Sequence, residues 1–228
     1  MDEFSEDQLI VRDTARRFAR DVLVPNAAEW DRNAAYPKDA VRGMAALGLL
    51  GMVAPEEWGG AGAGALPHAL ALEEIAAGDG ACSTIMAVHN SVACLPVASF
   101  GTREQKERFL KPLASGEMIG AFALTEPHAG SDAGAIRTRA EKRGNGWVLN
   151  GAKQFITSGS TAGVVIVFAV SDPAKGNKGL TAFLVPTDTP GYTVARTEHK
   201  MGQRASDTCA LAFDDMALTP DLMLGEEG

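Results

Sequence analysis

The chain has 228 residues, 46% of them hydrophobic and 22% charged, with a formal net charge of −8. That length can bury a substantial core in one or two domains. The acidity disfavours nucleic acid or an anionic membrane surface as a partner, because both reward clustered Lys and Arg. Ser5-Glu6-Asp7-Gln8 reads as a capping box. Behind it Val11, Ala15, Phe18 and Val22 share one helical face, and Pro25 is predicted to end the run. Pro37 suits a helix start, with Val41, Met44 and Leu47 on its face and Gly48 placed to close it. Residues 54–60 read as a loop. Leu66–Ala77 and Ala81–Phe100 are apolar enough for interior helices, with Pro96 kinking or ending the second. Thr102-Arg103-Glu104-Gln105 is a second capping box, followed by Phe109, Leu110 and Leu113 on one face.

The pattern changes after Ser115-Gly116. Met118–Leu124 is a short apolar run, and Gly144-Asn145-Gly146 and Asn150-Gly151 carry hairpin signals. Val164–Val170, Leu180–Val185, Tyr192–Arg196 and Cys209–Phe213 read as strands between Gly, Pro, Asn and Asp. Helices followed by strands predict an α+β chain, not alternating βαβ units. Its expected organisation is an all-helical domain over residues 1–115 and an antiparallel β-barrel-like domain over 116–228. Cys82, Cys94 and Cys209 form no CxxC pair, so neither a disulfide framework nor a metal cage is expected. The acidic amino terminus is unlike a signal peptide, and no apolar run reads as a bilayer span. A cytoplasmic protein is the default expectation.

The chemistry concentrates in Ala123-Leu124-Thr125-Glu126-Pro127-His128-Ala129-Gly130-Ser131-Asp132, directly after the first predicted strand. Thr125 and Ser131 bring hydroxyls, and Gly130 lets backbone N–H groups approach a ligand with no Cβ in the way. That suits a ligand with a polar ring edge and a phosphate. A bare structural turn would use the same residue types.

The string resembles the signature of the acyl-CoA dehydrogenase family. Gly151-Ala152-Lys153-Gln154-Phe155-Ile156-Thr157-Ser158-Gly159 is similar to that family's second flavin segment. His199-Lys200-Met201-Gly202-Gln203-Arg204-Ala205-Ser206-Asp207-Thr208 is similar to its later turn. Ala87–Ser91 and Phe100–Lys106 also resemble the family, so the likeness covers essentially the whole chain, and short-chain, butyryl-type members look most similar.

The resemblance implies FAD as cofactor and dehydrogenation of an acyl-CoA thioester at its α and β carbons. Electrons would pass on to an electron-transfer flavoprotein. Residues from Phe122 through Leu124, Thr125 and Gly130 to Ser131 would line the isoalloxazine ring and ribityl chain. Thr125 and Thr157 would hydrogen-bond the polar edge of the ring, the latter near N5. Phe155 would cover one face, the backbone of Ile156 would help hold it, and Ser131 would also meet the acyl-CoA. Position 155 is Phe where many relatives carry Trp, and 158 is Ser where many carry Asn. His128 replaces a common Gly and is expected to face solvent.

In the family the base is a Glu from a carboxyl-terminal helical domain, so the resemblance implies a base outside these 228 positions and leaves Glu126 to the loop framework. Without those helices a broad apolar face is expected, implying a tetramer as in the family or a partner chain. Two other readings are a flavin oxidase or monooxygenase on the same fold and a non-catalytic fragment.

Overall fold

A computed structural model describes residues 4–228. Ser5 caps the first helix as predicted: its Oγ accepts from the Gln8 N–H at 3.3 Å while the Gln8 side chain accepts from the Ser5 N–H at 3.0 Å. Helix α1 (Glu6–Phe18) does not stop at Pro25. It passes through a π-helical turn at Ala19–Leu23 into α2 (Val24–Asn33), with Pro25 in the first turn of α2. The wider turn lets the chain continue past a residue that has no N–H to donate.

Helix α3 (Lys38–Ala46) follows Pro37 and closes at Gly48, whose φ of 73° is the left-handed conformation glycine adopts without strain. Helix α4 (Ala65–Gly78) precedes a continuous helix formed by α5 (Gly80–Val88), a π-turn at His89–Cys94 and α6 (Leu95–Phe100), with Pro96 just after the turn. The same device recurs between α7 (Arg103–Gln105) and α8 (Lys111–Ala114), where a π-turn at Lys106–Leu110 precedes Pro112. Contrary to the sequence expectation, the 21-residue helix Gly80–Phe100 is long and apolar enough to cross a membrane, its most apolar 18-residue window having a mean hydropathy of 1.4. Half of its most apolar window is buried inside the protein, the position of a core helix.

Eight strands follow: β1 (Gly120–Ala123), β2 (Arg139–Arg143), β3 (Gly146–Thr157), β4 (Val164–Val170), β5 (Leu180–Pro186), β6 (Tyr192–Thr197), β7 (Thr208–Leu218) and β8 (Met223–Leu224). They form one sheet in the order β6-β7-β3-β2-β4-β5-β8, with β1 beside β4. Helices followed by strands is therefore the observed architecture. The sheet is mixed, not strictly antiparallel, because β1 runs parallel to β4 and β2 touches β4 in parallel at Arg139 and Val170. The long connection from β1 to β4, through the loop at 124–138 and the β2–β3 hairpin, permits a parallel pair that a tight turn cannot make. Residues 144–145 turn that hairpin, whereas Asn150-Gly151 lies inside β3 at a register shift against β7. A Cβ on Gly151 would fall 2.5 Å from Thr138 Oγ1, so this glycine serves a close approach, not a turn.

Two apolar clusters form the core. One is helical, around Leu23, Met44, Ile75 and Met86; the other joins the sheet's Leu149, Ile166 and Phe183 to Val97, Phe109 and Leu113 of the helices. His89 rivets the junction. Its Nδ1 accepts from the Gly120 N–H at 3.2 Å, which leaves Nε2 as the donor to the Leu113 carbonyl at 2.9 Å. Burial pushes the imidazole pKa down to about 4, opposed by the Leu113 hydrogen bond. A second tie joins the turn after β6 to the helices: Arg204 N–H donates to Asp31 and Thr84 Oγ1 to Gln203.

Candidate functional site

Strand β1 sets the geometry of the loop. Ala121 and Ala123 turn into the core, while Phe122 and Leu124 are half-buried on the opposite face, with the Phe122 ring 5.1 Å from that of Phe168. Beyond the strand, Glu126 and Ala129 exchange backbone hydrogen bonds of 2.9 and 3.1 Å across Pro127-His128. Strand β3 then grips the loop from the inside. The Gln154 N–H donates to the Thr125 carbonyl at 2.9 Å, and the buried Lys153 Nζ donates to the Leu124 carbonyl at 2.9 Å and to Glu126 Oε1 at 2.8 Å.

Glu126 also accepts from the Arg137 and Thr138 N–H groups at 2.7 and 2.9 Å. Burial alone would raise its pKa, but the hydrogen bonds from Lys153, Thr138 and Arg137 outweigh burial and hold it below the usual carboxylate range. Both its oxygens are committed to the framework, so it is not placed to act as a base. His128 is exposed as expected, yet its Nε2 lies 3.5 Å from Glu126 Oε2.

The outer side of the same loop is open. Register shifts between Lys153–Leu211 and Ile156–Cys209 mark a bulge in β3, where Phe155 adopts φ 59°. Strict alternation would put Phe155 on the buried side with Lys153. The extra residue instead buries Lys153 and Ile156 and turns Phe155 outward, 60% exposed. Thr125 and Thr157 are half-buried, and Ser131 is exposed. None of these three hydroxyls has a hydrogen-bond partner among the described residues. A Cβ on Gly130 would meet nothing within 4 Å, so the protein itself does not demand glycine there.

Asp207 fixes the end of β3. It accepts from the Ser160 N–H at 2.8 Å, from Ser160 Oγ at 2.9 Å and from Thr161 Oγ1 at 3.1 Å, and its carbonyl accepts from the Ser158 N–H. The third sequence segment thus shapes the second from behind. Ser158 sits at φ 61° with a buried hydroxyl that has no partner, in a conformation that Asn adopts more readily.

A cavity of about 560 Å³ at Tyr36, Arg42, Met118 and Thr161 contains none of the predicted site residues. A smaller groove of about 290 Å³ starts at Gly134, just beyond the loop, and is lined by Arg137, Arg139 and Asn177. Neither guanidinium forms an ion pair among the described residues. The sequence reading named neither this groove nor Lys153 as functional. The available signal was a lysine in the second family-like segment, at residues 151–159, of a chain whose loop offers Glu126.

An exposed ring on β3 and hydroxyls without protein partners, on a helical-then-sheet frame, leave this face free to receive a ligand. The chain belongs to the acyl-CoA dehydrogenase family: residues 5–117 match its N-terminal domain and residues 121–216 its middle domain. It is 46% identical to the human mitochondrial short-chain specific acyl-CoA dehydrogenase over 99% of this chain and 55% of that one. The chain therefore spans about half the length of the curated relatives it matches. Its fold superimposes on butyryl-CoA dehydrogenase from Megasphaera elsdenii with a TM-score of 0.96 and 39% identity, covering 100% of this chain and 61% of that one. Glutaryl-CoA dehydrogenase from Mycobacterium smegmatis in complex with FADH2 gives a TM-score of 0.92 at 38% identity, covering 99% of this chain and 57% of that one.

Proposed function

We propose that this chain is the FAD-binding part of an enzyme that dehydrogenates short-chain acyl-CoA thioesters. The observation that carries the reading is the open face, where an exposed Phe155 ring stands beside the unpaired Thr125 and Thr157 hydroxyls. These residues fit a flavin: the ring offers a stacking surface, and the hydroxyls offer donors and acceptors to its polar edge. When bound, FAD would supply the acceptor for the β hydride.

Thr157 would hydrogen-bond near N5, Thr125 would hold the other polar edge, and the backbone of Ile156 would fix the ring's height. Ser131 would stand between cofactor and thioester. Arg137 and Arg139 would receive the phosphates of the CoA moiety in their groove, since guanidinium groups pair well with phosphate. Glu126 is occupied by Lys153, Arg137 and Thr138 and is not free to act as a base, and the family resemblance assigns removal of the α proton to a Glu outside these 228 residues. The butyryl- and short-chain-specific relatives support a short acyl group, and family membership supports an electron-transfer flavoprotein as electron acceptor. A homo-oligomer, or a partner chain completing the site, is part of the same reading.

The test is to load the purified chain with FAD and titrate it with butyryl-CoA without air. A saturable perturbation of the visible flavin spectrum by butyryl-CoA, and none by butyrate, is expected. Photoreducing the bound flavin and admitting air should then give slow reoxidation. Rapid reoxidation with peroxide release would instead make the chain part of an oxidase.

A further inference from the structure

Lys153 is the most thoroughly buried cation in the chain, with no side-chain exposure. A charge is costly to bury, and its pairing with Glu126 offsets much of that cost. Glu126, however, already receives two backbone N–H groups, and Lys153 spends a second hydrogen bond on the Leu124 carbonyl. That carbonyl belongs to the peptide joining Leu124 to Thr125. In a trans peptide the N–H points opposite to the C=O, so the Thr125 N–H is directed away from the ammonium group. It has no acceptor among the described residues. The next peptide is held in the same way, its Thr125 carbonyl taken by the Gln154 N–H.

We infer that Lys153 is a positioning residue for the cofactor: it clamps and polarises the Leu124–Thr125 peptide so that the free Thr125 N–H is aimed at the flavin. The inference rests on the flavin reading above. A charged donor on a carbonyl makes the N–H of the same peptide a stronger donor, because successive hydrogen bonds polarise one another. The pair with Glu126 is close to neutral overall, so the effect is local to this peptide. A donor strengthened in this way favours the electron-rich reduced ring over the oxidised one, and a preorganised dipole does so at no cost of reorganisation. Lys153 therefore biases the redox equilibrium without touching the cofactor.

The experiment compares the wild-type chain, Lys153→Met and the double variant Lys153→Met/Glu126→Gln, each loaded with FAD. The double variant leaves no unpaired buried charge and keeps the comparison available if the single variant fails to fold. In a folded variant, binding of reduced flavin should weaken about tenfold more than binding of oxidised flavin, which lowers the two-electron midpoint potential by about 30 mV. In the flavin-free protein, the Thr125 amide proton should move upfield in an NMR spectrum. Equal weakening of both redox forms, or an unmoved Thr125 amide, would overturn the inference and leave Lys153 a structural residue. A wild-type chain that takes up no FAD would instead overturn the functional reading on which it rests.

Discussion

The two sides of the loop at 124–131 are built on opposite rules. On the inner side the polar groups are paired: Glu126 takes Lys153, Arg137 and Thr138, and the carbonyls of Leu124 and Thr125 are both occupied by β3. On the outer side Thr125, Ser131 and Thr157 present hydroxyls to nothing within the described residues, and an aromatic ring stands exposed. The inner side supplies the rigidity, and under the proposed function the outer side is what it holds ready for a ligand.

Breaking the inner side should cost most. Glu126→Ala leaves the buried Lys153 ammonium without its counter-ion and two backbone N–H groups without an acceptor, and about 3–5 kcal/mol of stability should be lost in urea unfolding. Because the Glu126 pKa is depressed in the folded state, its contribution is complete above the unfolded carboxylate pKa and is lost as pH falls through the folded value. A transition midpoint that this variant leaves unmoved would show that the loop does not depend on the pair.

The domain junction comes next. His89→Ala strands the Leu113 carbonyl and the Gly120 N–H, at a cost of about 2–5 kcal/mol. Wild-type stability should fall as pH drops from about 6.5 toward 4, since the unfolded imidazole takes up protons that the buried one refuses. In His89→Ala that part of the pH dependence should be gone, as pH-dependent unfolding curves would show.

Changes on the outer side should reverse the pattern. Phe155→Ala and Thr157→Ala should each leave stability within about 0.5 kcal/mol of the wild type. Each should weaken FAD binding about 5–10-fold in a fluorescence titration, the value of one hydrogen bond or stacking contact. The smallest effect is expected from Phe155→Trp, which keeps an aromatic face at an exposed position. FAD affinity there should stay within about threefold, and a much larger loss would mean that the ring is packed against something other than a cofactor.

Much of this division was legible in the sequence, and what escaped it has physical causes. Both capping boxes, at Ser5 and Thr102, are local devices complete within four residues, and both formed. Pro25 was misleading because the rule that proline ends a helix assumes regular α turns; a single π-turn removes the conflict, and nothing in residues 19–23 announces it. Asn150-Gly151 has the composition of a turn, but its glycine is there for the approach of Thr138, a contact that no local window contains. The bulge that turns Phe155 outward depends on register with β7, more than fifty residues away. The loop residues themselves were legible because their types and order are distinctive. The service of Lys153 to that loop was not, because it runs through backbone carbonyls that carry no sequence identity.

The most direct test is a calorimetric titration of the flavin-free chain with FAD, beside the double variant Phe155→Ala/Thr157→Ala. Saturable binding of one FAD per chain, weakened about 25–100-fold in a double variant that unfolds at the same urea concentration as the wild type, is the predicted result. No saturable binding by the wild type, or equal binding by both proteins, would contradict the assignment of the open face to a flavin.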